Sequence, residues 1–147
     1  MRPFIIDCDT GRDDALTLWI CDLLKLPLIA VMSSYGNVAV DQVVQNNCNI
    51  IHTFENLRDV RLFKGVDKPC KEHFFYQNEV LKRQKSVGNG LSDVQLNNAN
   101  YLCDDYSVFR KWLVDYTGKN GPLDYVIIGP ASNFAKLLTD PDIDIKQ

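Results

Sequence analysis

Residues 4–14 read Phe4-Ile5-Ile6-Asp7-Cys8-Asp9-Thr10-Gly11-Arg12-Asp13-Asp14, an apolar run that ends in four carboxylates and a glycine. Two unit charges about 4 Å apart repel by roughly 1 kcal/mol in water and by about 4 kcal/mol at an effective dielectric of 20. A chain that keeps four of them together is expected to hold a cation there. Side chains alternate along a strand, so Asp7 and Asp9 leave the strand end on one face. Gly11 lets the chain turn, and Ala15, Leu16, Leu18, Trp19, Ile20, Leu23 and Leu24 follow at helical spacing. Asp13 and Asp14 then fall in the first helical turn, where the helix dipole favours carboxylates. As neighbours about 100° apart on a helix they point in different directions, so one can face a metal while the other faces a ligand.

Outward from this stretch, strands and helices alternate. The pattern predicts a strand at 4–8, a helix at 13–25, a strand from Leu28 to Ser34 and a second helix marked by Val43, Val44, Ile50, Ile51, Phe54 and Leu57. A short strand at Val60 to Phe63, a helix from Tyr101 to Tyr116, a buried strand at Tyr125-Val126-Ile127-Ile128 and a helix from Asn133 to Leu138 complete it. Such alternation implies an α/β fold, an open, mostly parallel, Rossmann-like sheet with helices on both faces and ligands at the carboxyl ends of its strands. Three strand ends carry polar or glycine signals: Asp7 to Asp14, Ser33-Ser34-Tyr35-Gly36-Asn37 and Gly129-Pro130-Ala131-Ser132-Asn133. All three are expected on one edge of the sheet. Residues 66–100 show little periodicity and exceed ordinary connection lengths, which suggests a lid-like loop.

Composition bounds the function. The chain has 147 residues, is 46% hydrophobic and carries a formal net charge of −3, enough for one globular domain with a core. Mild acidity without a basic stripe argues against nucleic acid as a partner, and Lys82, Arg83 and Lys85 read as a solvated loop. No stretch approaches the ~20 apolar residues of a membrane span. Only Met1, Arg2 and Pro3 precede the first strand, and Asp7 interrupts its apolar run far short of a signal-peptide core, so no signal peptide is expected. The cysteines, Cys8, Cys21, Cys48, Cys70 and Cys103, form no CxxC pair, so a reducing, cytoplasmic setting is the expectation.

Taken together, the three strand-end signals resemble the nucleoside hydrolase family, the calcium-dependent nucleoside N-ribohydrolases. The family's D-x-D-x-x-x-D-D after an apolar strand is met by Asp7, Asp9, Asp13 and Asp14. Its Gly-Asn after the second strand is met by Gly36-Asn37, with Asn46 in the next helix, and its G-[GP]-x-[ST]-N by Gly129-Pro130-Ala131-Ser132-Asn133. Two departures stand out. Ser86 occupies the histidine position of the family's His-Gly-x-Asp-Gly-Leu-Gly loop, here Ser86-Val87-Gly88-Asn89-Gly90-Leu91-Ser92. Family members are also longer, and their later part carries a ribose motif, a further metal aspartate and a leaving-group histidine.

The resemblance implies the N-terminal half of a nucleoside hydrolase, cut after about the fourth strand, that releases base and ribose from ribonucleosides. It implies a Ca2+ ion that orients and acidifies water, with Asp9 as general base and metal ligand, Asp14 as metal ligand and the main-chain carbonyl of Ile128 as a third donor. Asp13 would accept a hydrogen bond from the ribose 2′-hydroxyl, Asn37 would line the pocket, and Asp7 would orient its neighbours from behind. A complementing C-terminal half or a homo-oligomer is the expected partner, since a cut sheet leaves an open edge. Other residues read blandly: Ser132 as a helix N-cap, Asn133 as a loop-positioning residue, His52 as solvated, His73 as a loop residue and Cys8 as core. Two rival readings accompany this one. Ile5-Ile6-Asp7-Cys8-Asp9-Thr10 also fits the D-x-D-x-T strand of haloacid dehalogenase-type phosphatases, with Asp7 as nucleophile and Asp9 as acid/base. A degenerate domain that binds without turnover is the other.

Overall fold

In a computed structural model, which describes residues 1–69, 88–92, 94, 96, 99–100 and 102–143, the apolar runs form one parallel sheet. The strands are β1 (Phe4–Cys8), β2 (Leu28–Ser33), β3 (Arg61–Lys64), β4 (Cys103–Asp104) and β5 (Asp124–Ile127), in the spatial order β4-β3-β2-β1-β5. Every pairing is parallel. The helices are α1 (Arg12–Leu23), α2 (Val40–Thr53), α3 (Tyr106–Asn120) and α4 (Ser132–Leu138), with a 3-10 turn at Glu55–Leu57.

β1 is buried along its whole length, as a central strand covered on both faces must be. Its alternate residues feed two cores. Phe4, Ile6 and Cys8 join Leu18 and Cys21 of α1 and Cys48, Ile50 and Ile51 of α2. Ile5 joins Ala30, Met32 and Phe63 against Phe109 and Leu113 of α3 and Leu137 of α4. Helices therefore lie on both faces of the sheet, as the alternation implies. Phe63 and Phe109 meet edge to face with ring centroids 5.0 Å apart.

Three elements differ from the periodic reading. The helix expected over Tyr101 to Tyr116 starts at Tyr106 and runs to Asn120, because Asp105 caps it by accepting from the N–H groups of Ser107 at 2.8 Å and Val108 at 3.0 Å. Just before that cap, Cys103 and Asp104 pair with Leu62 and Phe63 as a fifth, edge strand. Two residues are too few to show a period of two. The second helix stops at Thr53, where Phe54 turns extended at φ −98°, ψ 127° before the 3-10 turn begins. Most of the loop 66–100, including His73, Lys82, Arg83, Lys85 and Ser86, lies outside the described residues, as does Cys70. Cys8, Cys21 and Cys103 are free thiols. Among the described residues no helix is long and apolar enough to cross a membrane.

Candidate active site

Parallel strands deliver their ends to one edge, and the three sequence signals meet there through the main chain. Ser34 donates its N–H to the Cys8 carbonyl at 2.8 Å, and Ile128 donates to the Asp7 carbonyl at 2.9 Å. The β2 and β5 exits are thus stitched to the two sides of the acidic strand end.

Asp9 occupies the gap between those exits. Its Oδ2 accepts the Asn37 N–H at 2.7 Å. A Cβ placed on Gly36 would fall 2.1 Å from Asp9 Oδ2, and one on Gly129 would fall 2.8 Å from Asp9 N and 3.0 Å from Oδ1. Both positions need glycine because the carboxylate is held between two backbones. The Asn37 carboxamide lies over Gly11, whose added Cβ would meet Asn37 Nδ2 at 2.7 Å and Asp13 Oδ1 at 3.3 Å. Asp9, Asn37, Asp13 and the backbone after Ile128 therefore gather at one place.

Asp13 and Asp14 part company, as their 100° offset requires. Asp13 is exposed, whereas Asp14 is only 3% exposed and its Oδ2 accepts the Gly11 N–H at 2.8 Å. Burial raises the Asp14 carboxyl from 3.8 to about 6, and the charges of Asp9 and Asp13 push the same way. A cation beside Asp9 and Asp14 would relieve that repulsion. The donors available are hard oxygens; the Cys8 thiol is buried and pushed up to about 12 by desolvation, and His52 is exposed on α2. Among the described residues no three His, Cys, Asp or Glu side chains are grouped to hold a metal ion. Two carboxylates and a main-chain carbonyl fit a hard cation whose flexible shell of 6–8 oxygens accepts water and ligand hydroxyls.

Asp7 sits behind Asp9, fully buried. Its carboxylate accepts from Ser34 Oγ at 2.5 Å, Tyr125 Oη at 2.9 Å and Asn133 Nδ2 at 3.0 Å. Desolvation raises it to about 6 against these three hydrogen bonds, which pull the other way. Both oxygens are engaged from within the fold, so Asp7 is no nucleophile, and the phosphatase reading loses its attacking group. Asn133 also donates to Ser34 Oγ at 2.7 Å and accepts the Val66 N–H at 2.8 Å, which ties the start of the loop after β3 to the acidic strand end. This positions a loop, as expected of Asn133. Ser132 differs from expectation: it lies inside α4, and its Oγ pairs with Tyr35 Oη at 2.7 Å instead of capping the helix.

On the other face, α2 braces the Thr10-Gly11 turn. Asn47 Oδ1 accepts from Thr10 Oγ1 at 2.6 Å, and Asn46 Nδ2 donates to the carbonyls of Thr10 at 3.2 Å and Asn89 at 2.8 Å. The roles of Ser34, Tyr125 and Asn47 were not legible in the sequence, because their partners are 27 to 118 residues away. The one available signal on α2 is three asparagines within four residues, Asn46, Asn47 and Asn49, all of which the fold buries.

The raised carboxyls predict a pH dependence. Asp7 and Asp14 bind protons more tightly folded than unfolded, so their favourable contribution is complete below pH 3.8 and is lost as pH rises through about 6. In chelator, the unfolding free energy should fall across that window by on the order of 2–3 kcal/mol per group. Urea melts at steps of pH will show it, and Asp7→Asn should remove the Asp7 share of the slope.

Comparison with known proteins matches this architecture. The model of the family described as inosine-uridine preferring nucleoside hydrolase matches residues 4–146. A pyrimidine-specific ribonucleoside hydrolase, RihA, of Shewanella oneidensis is 28% identical over 140 residues, 92% of this chain and 41% of that protein. The RihA of Escherichia coli O81 is 26% identical over 146 residues, 98% of this chain and 45% of that protein. A solved purine-preferring ribonucleoside hydrolase from Gardnerella vaginalis superposes with a TM-score of 0.72 at 33% identity, covering 91% of this chain and 42% of that one. An inosine-guanosine nucleoside hydrolase shares the fold at a TM-score of 0.70 and 22% identity. The chain thus spans less than half the length of the relatives it matches. With the acidic strand end, its two glycine-flanked neighbours and a matched span of 4–146, the chain belongs to the inosine-uridine preferring nucleoside hydrolase family.

Proposed function

We propose that this site hydrolyses the N-glycosidic bond of ribonucleosides, releasing a nucleobase and ribose. The observation that carries the reading is the position of Asp9, a carboxylate held between Gly36 and Gly129 beside Asn37, Asp13 and Asp14. Asp9 is the general base: it takes a proton from a water molecule whose oxygen bonds to the anomeric carbon as the bond to the base breaks, through an oxocarbenium-like transition state. The Asn37 N–H fixes Oδ2 and so fixes the direction in which Asp9 meets that water. Asp13, exposed at the rim, accepts a hydrogen bond from the ribose 2′-hydroxyl, and the Asn37 carboxamide lines the same wall. Asp7 holds the strand end in place from behind through Ser34, Tyr125 and Asn133. Asp9, Asp14 and the main-chain carbonyl of Ile128 would hold Ca2+, which when bound supplies positive charge that acidifies water and grips ribose hydroxyls.

The test is a reducing-sugar assay on the 147-residue chain with inosine and with uridine, in calcium and in chelator, alongside calcium titration calorimetry. Calcium-dependent release supports the reading. Calcium binding without release rejects turnover by this chain, and neither binding nor release rejects the site itself.

A further inference from the structure

The peptide that joins Thr10 to Gly11 lies between Asp9 and the first turn of α1, and both of its polar groups are held by side chains. Its N–H, that of Gly11, donates to Asp14 Oδ2 at 2.8 Å, and its carbonyl, that of Thr10, accepts from Asn46 Nδ2 at 3.2 Å. A trans peptide is planar with its N–H and C=O opposed, so a bond that fixes the carbonyl also fixes the direction of the N–H. Asn46 of α2 therefore reaches Asp14 through the plane of this peptide. With Oδ2 held on the Gly11 N–H, the plane of the Asp14 carboxylate is set, and the direction of its other oxygen with it.

Asn46 is itself rigidly placed. It is buried, its Oδ1 accepts from Gln42 Nε2 at 3.0 Å, and its second Nδ2 bond goes to the Asn89 carbonyl at 2.8 Å. A carboxamide has two N–H donors, and both are spent here on main-chain carbonyls. The Asn89 segment lies against the same turn: Gly90 has φ +85°, and a Cβ on it would fall 3.3 Å from the Thr10 carbonyl oxygen. The side chain of Thr10 is fixed in parallel, its Oγ1 donating to Asn47 Oδ1 at 2.6 Å. Two consecutive asparagines of α2 thus hold the side chain and the carbonyl of one residue. We propose that Asn46 is a positioning residue for Asp14: through the Thr10–Gly11 peptide it sets the direction in which that carboxylate meets a cation, and through Asn89 it ties residues 88–92 to the same turn. The cation clause rests on the reading of Asp14 as a metal ligand, whereas the link from Asn46 to Asp14 can be read with no metal present.

The experiment is amide hydrogen exchange by NMR on the 147-residue chain in chelator, followed by calcium titration calorimetry, for wild type, Asn46→Leu and Gly90→Ala. Leucine keeps the shape of asparagine and adds no charge but has no N–H to give. Alanine at 90 is strained at φ +85° and presses on the Thr10 carbonyl, so it disturbs the same peptide from the loop side and leaves Asn46 intact. In Asn46→Leu the Gly11 amide should exchange faster by about tenfold or more, while the Asn37 amide, bonded to Asp9, and the amides of β1 keep their rates. Gly90→Ala should accelerate Gly11 by a smaller factor. The calcium Kd should rise by roughly 10–100-fold in Asn46→Leu, the range for loss of a group that orients a ligand. An unchanged Gly11 rate in folded Asn46→Leu overturns the proposal. So does an equal acceleration at Gly11, Asn37 and β1, which marks lost stability alone, or an unchanged calcium Kd despite a loosened Gly11 amide. If Asn46→Leu does not fold, Gly90→Ala decides, and an unchanged Gly11 rate there is the overturning result. A wild-type chain that binds no calcium rejects the metal reading by itself, and the Gly11 amide still decides whether Asn46 orients Asp14.

Discussion

Asp9→Asn will reduce calcium-dependent ribose release by roughly 10²–10⁴-fold, the range that removal of a positioned general base commands. The substitution keeps the shape of the side chain and an oxygen for the Asn37 N–H, so the gap between Gly36 and Gly129 stays filled and the fold is retained. What changes is charge. One of the repulsions acting on Asp14 disappears, and the Asp14 carboxyl should move down from about 6. With Asp9 and Asp14 as the proposed donors, calcium affinity should fall at the same time, because one of two carboxylates becomes a neutral amide. The informative comparison is Asp13→Asn, which should raise the KM for nucleoside while sparing calcium affinity, since Asp13 is exposed and its proposed partner is the ribose 2′-hydroxyl. Equal calcium binding in wild type and Asp9→Asn would remove Asp9 from the metal site, whatever the assay reads.

Asn133→Leu is expected to be the most destabilising single change near the site. The side chain is fully buried and makes three hydrogen bonds, to Asp7, Ser34 and the Val66 N–H. Leucine fills the space but leaves a buried carboxylate with one partner fewer and a main-chain N–H with none from this residue. Each unsatisfied buried group costs roughly 1–3 kcal/mol, so a total of about 2–4 kcal/mol is expected. For a domain of this size that lowers the midpoint of thermal unfolding by roughly 4–16 °C. Asn133→Asp, which keeps the acceptor for Val66 but sets a second carboxylate against Asp7, should be worse at neutral pH than at pH 4. A loss under about 0.5 kcal/mol for the leucine variant would show that the tie between loop and strand end carries no stability.

The sequence by itself determined the layout. Short apolar runs placed β1, β2 and β5, a period-3.6 run placed α1, and alternation of the two types dictated a parallel sheet whose strand ends converge. The clustering of four aspartates at one strand end was legible, because repulsion among them follows from spacing alone, and it is what raised the expectation of a cation. Tertiary structure decided the rest, for the physical reason that the partners are distant in the chain. Only packing showed that Asp14 turns inward and Asp13 outward, that Asp7 is buried under Ser34, Tyr125 and Asn133, and that Asn133 reaches the backbone at Val66. Only pairing with Leu62 and Phe63 makes a strand of Cys103 and Asp104. The apolar outer face of α1 reads in the sequence as core, and among the described residues nothing covers it, because a helical pattern records which residues are apolar and not what covers them.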